Sequence, residues 1–177
     1  MSLEQLACHA KVLARRHQVT ARGGSHSLLA RLDQNEQILR AYNRETRAVE
    51  QTRRITHAAE WLLDNFYLIE EQVQMARRHL PRGYSRELPR LLNGPSTGLP
   101  RVYDLGLELI SHVDAQIDAE SLRVFVAAYQ TVSSLKVGEL WAVPIMLRLA
   151  LIENLRRVAA RLMIARHGRD LADLWVD

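Results

Sequence analysis

Cysteine is nearly absent from this 177-residue chain. Cys8 stands alone, which excludes a disulfide framework and a cysteine-based zinc centre. Lysine is almost as scarce: 22 of the 24 basic residues are Arg, and only Lys11 and Lys136 are Lys. Eight Gly and five Pro are too few for a collagen-like or low-complexity chain. Aromatic content is 6%, little for a surface that stacks bases. No long hydrophobic run is present. The most apolar stretch, Leu140 to Ile152, has 13 residues, contains Arg148 and falls short of the roughly 20 that a bilayer requires. Glu4, Lys11, Arg15 and Arg16 break up the N-terminal region, so a signal-peptide core is missing and a soluble, intracellular chain is expected. A glycine-rich phosphate loop with its Lys is also lacking, and no Ser-His-Asp or Cys-His arrangement stands out.

What is there is helical. The chain is 47% hydrophobic and 25% charged, with a formal net charge of +4. Apolar residues recur by threes and fours, and no alternating run flanked by turn signals suggests a strand. The expected fold is all-α, five to seven helices in a bundle-like domain. A first helix is predicted over 3–18 and a break over 20–27. Leu28, Leu32, Asn35, Leu39, Tyr42, Thr46 and Val49 then follow a 4-3-4-3 spacing on one seam of a second helix. That seam suits packing on its own domain, with self-association as the alternative. A third helix capped by Thr56, or a continuation of the second through it, carries Ala58, Leu62, Phe66, Ile69, Val73, Ala76 and Leu80, with Trp61, Leu68 and Met75 as a second stripe. An arc that wide predicts a central helix packed on two sides.

Four of the five prolines and three glycines fall within 81–100, read as an ordered loop pinned by Tyr84, Leu88, Leu91, Leu92 and Leu99. Helices are predicted over 101–115 and over 119–134, the latter capped by Asp118. A last helix is predicted from Gly138 to His167, starting or kinking at Pro144 and stopping at Gly168. Residues 1–52 read as N-terminal helices and 53–177 as a helical domain, together one compact unit. The chain ends on an apolar, helix-favouring segment, which suggests a piece of something larger.

Few constellations carry chemistry. His57, Glu60 and Asp64 share a helix face, but first-turn acids favouring the helix dipole explain them better than a metal site. Arg148, alone in its apolar stretch, must either snorkel to water or find a carboxylate; a structural ion pair is expected, with Glu139, Glu60 and Asp64 as candidate partners. Glu153 and Arg157 read as a solvated i,i+4 pair. His112 reads as a core-edge or surface histidine. The Arg doublets are scattered, so nucleic acid is not an expected partner.

Several segments, in order, carry a resemblance. They are Glu60-Trp61-Leu62-Leu63-Asp64-Asn65-Phe66 with Glu70-Glu71-Gln72, and Leu80-Pro81-Arg82-Gly83-Tyr84 with Arg86-Glu87-Leu88-Pro89. Pro100-Arg101-Val102-Tyr103 and Phe125-Val126-Ala127-Ala128-Tyr129-Gln130-Thr131-Val132 follow. The longest runs from Gly138-Glu139-Leu140-Trp141 through Arg148 to Glu153-Asn154-Leu155-Arg156-Arg157. Together, over about residues 53–165, they resemble the N-terminal region of the cyclic β-1,2-glucan synthases, large inner-membrane enzymes of Gram-negative bacteria. No segment of residues 1–50 contributes to it.

The resemblance implies a parent with membrane spans, a transferase domain that uses UDP-glucose, and a phosphorylase-like domain. The transferase signature, paired aspartates with Q-x-x-R-W, is absent. Gln51-Thr52-Arg53-Arg54 lacks its Trp, so no catalytic residue transfers to this chain. The implied role is a non-catalytic module on the cytoplasmic side of the inner membrane, bracing or regulating the transferase. Its partner would be the rest of the same polypeptide, with a homo-oligomer as a further possibility, and neither cofactor nor metal is expected. The candidate interaction or structural residues are Trp61, Asp64, Arg82, Tyr84, Glu139, Trp141, Arg148, Glu153 and Arg156.

Overall fold

The computed structural model describes residues 2–21, 28–51, 55–80, 87–112 and 117–174, with side chains described through residue 165. Seven helices dominate these residues: α1 (Leu3–Arg16), α2 (Leu28–Glu50), α3 (His57–Asp64), α4 (Phe66–His79), α5 (Arg101–His112), α6 (Ala119–Gln130) and α7 (Val137–Leu174). The fold is predominantly all-α, as the periodicity predicts. The exception is a ribbon of two short antiparallel strands, β1 (Val19–Thr20) and β2 (Arg90–Leu91), with Val19 opposite Leu91. Strands of two residues leave no alternation for a sequence reading to detect.

Local chemistry sets the helix ends. Ser2 and Gln5 form a reciprocal capping box at the start of α1. Thr56 caps α3, and the Asp118 carboxylate accepts the Ser121 amide at 2.6 Å to cap α6. The helix predicted from Thr56 to Leu80 divides at Asn65, whose Nδ2 donates to the Trp61 carbonyl at 2.8 Å and competes with the helical ladder. The last helix starts at Val137 rather than at Pro144 and passes the stop proposed at Gly168. It runs through Pro144, an exposed position where water can serve the Leu140 carbonyl, and continues past Gly168 to Leu174. An interior glycine costs only about 1 kcal/mol, not enough by itself to end a helix.

The central helix is α5, not the α3–α4 segment. Of residues 101–110 only Glu108 escapes full burial, so α5 is enclosed on all sides. Trp61 and Leu68, the supposed second stripe of α3 and α4, are exposed instead. Two apolar clusters meet on α5. One gathers α2, α3, α4 and α7 around Val102, Tyr103, Leu107 and Ile110. The other gathers α1 and α6 around Leu105, Leu109, Phe125 and Tyr129. The α2 seam from Leu28 to Thr46 is buried within the first cluster, with Val49 half-buried at its end. It is therefore spent inside the chain and unavailable for a coiled coil between copies.

The loop before α5 is ordered over 87–100. Leu88, Leu91 and Leu99 are buried, whereas Leu92 is exposed and pins nothing. Asn93 ties this loop to the end of α1, donating to the Arg16 carbonyl at 2.8 Å and accepting the Gln18 amide at 3.1 Å. Residues 81–86 of the predicted loop, with Arg82 and Tyr84, lie outside the described residues.

Candidate interaction groove and buried charge clusters

The sequence candidates separate into two groups, one fully buried in ion pairs and one on the surface. Glu139, at the start of α7, is entirely buried and takes a two-pronged contact from Arg101 at the start of α5. Arg101 Nε lies 2.6 Å from Oε1 and Nη2 lies 2.8 Å from Oε2. Arg101 Nη1 also donates to Ser133 Oγ at 2.9 Å and Nη2 to the Ser134 carbonyl at 2.6 Å, and the Lys136 amide donates to Glu139 at 2.9 Å. Both carboxylate oxygens and four of the five guanidinium N–H groups are thus met, close to the condition under which a buried ion pair is tolerated.

Arg101 also lies over the Tyr129 ring, 5.9 Å from its centroid. Tyr129 Oη is 3.0 Å from His17 Nδ1, and His17 Nε2 is 3.1 Å from Asp104 Oδ2. Because a carboxylate only accepts, Nε2 donates to Asp104, and Nδ1 is engaged by the Tyr129 hydroxyl. A cavity of about 230 Å³ opens beside His17 and Asp104. With both its nitrogens engaged, His17 presents no free base to that cavity. The arrangement holds the ends of α1, α5, α6 and α7 together. His17, Arg101, Asp104 and Tyr129 escaped the sequence reading as site residues because their partners come from other helices.

Glu153 forms the second centre: the expected i,i+4 pair with Arg157 is present, but the carboxylate is buried rather than solvated. It is completely buried, and Arg31 of α2 grips it through Nε at 3.1 Å and Nη2 at 3.0 Å. Arg156 and Arg157 add contacts at 2.9 and 3.2 Å. Burial alone would raise the carboxyl pKa, but the hydrogen bonds from Arg31 and Arg156 outweigh it and hold Glu153 down to about 2. Beside them, burial and then the Glu153 charge push the Tyr103 phenol up to about 12. Arg156 is therefore placed as a partner of Glu153.

The surface group lies along α3, α4 and α7. These helices border an apolar groove of about 520 Å³, lined by Trp61, Leu68, Pro144, Leu147, Arg148 and Leu151 among others. Trp61 is 55% exposed at the groove and Trp141, a turn before Pro144 on α7, is 80% exposed. Arg148 is half-buried in the groove, and no carboxylate among the described residues pairs with it. The predicted partners are elsewhere: Glu139 belongs to Arg101, Glu60 lies near His57 at 3.4 Å, and Asp64 is exposed. The expected ion pair of Arg148 is thus corrected. The helix that carries it places Arg148 in the lining of the apolar groove. His57, Glu60 and Asp64 do not converge as ligands. No helix among the described residues is long and apolar enough to cross a membrane.

Comparison with known proteins bears out the resemblance. The chain is 43% identical over 149 residues, 84% of its length, to the cyclic beta-(1,2)-glucan synthase NdvB of Rhizobium meliloti (strain 1021). It spans about 5% of the length of that relative. The match leaves 28 of the 177 residues unaligned, fewer than the first 52, so similarity also reaches into the N-terminal helices where no resembling segment was recognised. No protein-family profile matches the chain.

Proposed function

We propose that this chain is a non-catalytic helical module of a cyclic β-1,2-glucan synthase. It braces or regulates the glycosyltransferase by docking on another part of the same long polypeptide. The observation that carries this reading is the groove of α3, α4 and α7: an apolar channel, edged by exposed Trp61, with Arg148 unmatched by any described carboxylate. Trp and Arg are the side chains most often dominant at protein interfaces, and an apolar helix carrying one acid would fit both. The buried charges meanwhile serve the fold. Glu139 and Glu153 are enclosed by arginines and reach no open site. By resemblance, the parent makes cyclic glucan from UDP-glucose, and the module lies on the cytoplasmic side of the inner membrane.

The test is Trp61→Ala with Arg148→Glu, made both in the 177-residue chain and in a full-length synthase that carries it. Both side chains are exposed or half-buried and have no ion pair, so the melting temperature of the chain is expected to stay within a few degrees of wild type. In the full-length enzyme, glucan synthesis from UDP-glucose or the glucan length distribution is expected to change. Unaltered synthesis and an unaltered length distribution in the double variant would overturn the proposal.

A further inference from the structure

A cluster of ligand-type side chains lies apart from the groove, where the His9 side chain of α1 reaches Glu108 of α5. His9 Nε2 is 2.9 Å from Glu108 Oε2, and the His9 and His112 rings face each other with centroids 4.0 Å apart. The three residues bring ligand atoms within 4.8 Å of one another, and all three are half-buried. We propose that His9, Glu108 and His112 bind a divalent transition-metal ion of the zinc type that staples α1 to α5.

The hydrogen bonding favours this reading. His112 Nδ1 lies 2.8 Å from the Glu108 carbonyl oxygen, which can only accept. The proton is therefore on Nδ1 and the lone pair on Nε2. A backbone carbonyl fixing the tautomer of a ligating imidazole is the usual outer-shell partner of a histidine ligand. The Glu108 carboxylate serves only one imidazole at hydrogen-bond distance, since His112 Nδ1 is 3.8 Å from Oε2. A metal ion would engage both rings and the carboxylate at once.

Tetrahedral zinc with bonds of 2.0–2.1 Å sets its ligand atoms about 3.3 Å apart. The His9–Glu108 gap of 2.9 Å would have to widen by about 0.4 Å, and the wider ligand-atom separations, up to 4.8 Å, would have to close by as much as about 1.5 Å through side-chain rotation. The ion replaces the proton that now bridges the two groups. His9 also stacks on Phe125, with centroids 6.2 Å apart, and Phe125 is buried. That apolar floor orients the ring and lowers the local dielectric. Two imidazoles and a carboxylate without thiolate suit zinc, and a solvent molecule completes four-coordination.

The experiment titrates the metal-stripped 177-residue chain with zinc chloride by calorimetry, and with cobalt(II) by visible absorption. One equivalent is expected to bind with a dissociation constant of about 10 μM or tighter, and zinc should raise the thermal midpoint. His9→Gln and His112→Gln should each weaken binding at least roughly tenfold, whereas Cys8→Ser and His57→Gln should not. In the wild-type chain, which needs no variant to fold, zinc should shield His9 and His112 but not His57 from carbethoxylation by diethyl pyrocarbonate. Failure to bind at roughly 100 μM zinc, or equal modification of His9 and His112 with and without zinc, would overturn the site. So would undiminished binding in a folded His9→Gln/His112→Gln double variant.

Discussion

At the scale of single residues, the acids decide more than the arginines that outnumber them. Glu139 and Glu153 are both completely buried, and each draws guanidinium groups inward from a different helix. Removing one partner of such a pair leaves a charge without compensation, which typically costs about 3–5 kcal/mol. Glu153 also gives the molecule a pH dependence whose sign can be worked out. Its carboxyl titrates near 2 when folded and near the ordinary 4.5 when unfolded. As pH falls below 4.5 the unfolded chain takes up the proton first, so protons pull towards unfolding. The contribution of Glu153 is complete above pH 4.5 and lost between 4.5 and about 2. Tyr103 acts at the other end: unfolded it ionises near 10, folded near 12, so its contribution holds below pH 10 and disappears as pH rises towards 12. Urea titrations at stepped pH should show Glu153→Gln less stable than wild type at pH 7, with the difference narrowing as pH drops from 4.5 towards 2. A constant difference across that window would contradict the assignment.

At the scale of elements, α5 sets the architecture, and Gly106 decides how closely α7 can approach it. A methyl group added at Gly106 would sit 3.3 Å from the Met146 carbonyl oxygen and 3.4 Å from the Ala150 side chain. The neighbour is backbone and cannot turn aside. Gly106→Ala should therefore lose much of the helix-propensity gain of about 1 kcal/mol that an open helix would show. Gly106→Val should destabilise by about 1–3 kcal/mol through overpacking, measurable as a lower urea midpoint. The capped helix starts were legible in the chain itself: Asp118 caps α6 and Thr56 caps α3, since a cap acts across only three residues. The centrality of α5 was not. Its run Val102-Tyr103-Asp104-Leu105-Gly106-Leu107 mixes a carboxylate with apolar residues, and only the His17 partner supplied by the end of α1 makes Asp104 a core residue.

At the scale of the whole molecule, the two apolar clusters share α5, and the β1–β2 ribbon ties residues 19–20 to 90–91. A shared central helix should make the two halves unfold together. Far-ultraviolet circular dichroism and the near-ultraviolet signal of buried Tyr42, Tyr103 and Tyr129 should give coincident urea transitions; two separated midpoints would show independent halves. The groove on α3, α4 and α7 and the histidine pair on α1 and α5 also belong to this scale, because each needs elements far apart in the chain. Sequence alone determined the all-α class, most helix starts, the inward α2 seam from Leu28 to Thr46, and the resemblance to the glucan synthases. These are properties of spacing over a few residues, or of ordered segments that survive as text. Only the tertiary structure decided that Arg31 rather than a surface neighbour anchors Glu153, that Arg101 claims Glu139, and that Arg148 goes without. It alone set His9 beside Glu108, 99 residues away. The physical reason is common to all four: a charge or ligand pair is chosen by distance in space, and helix packing rather than helix periodicity sets that distance.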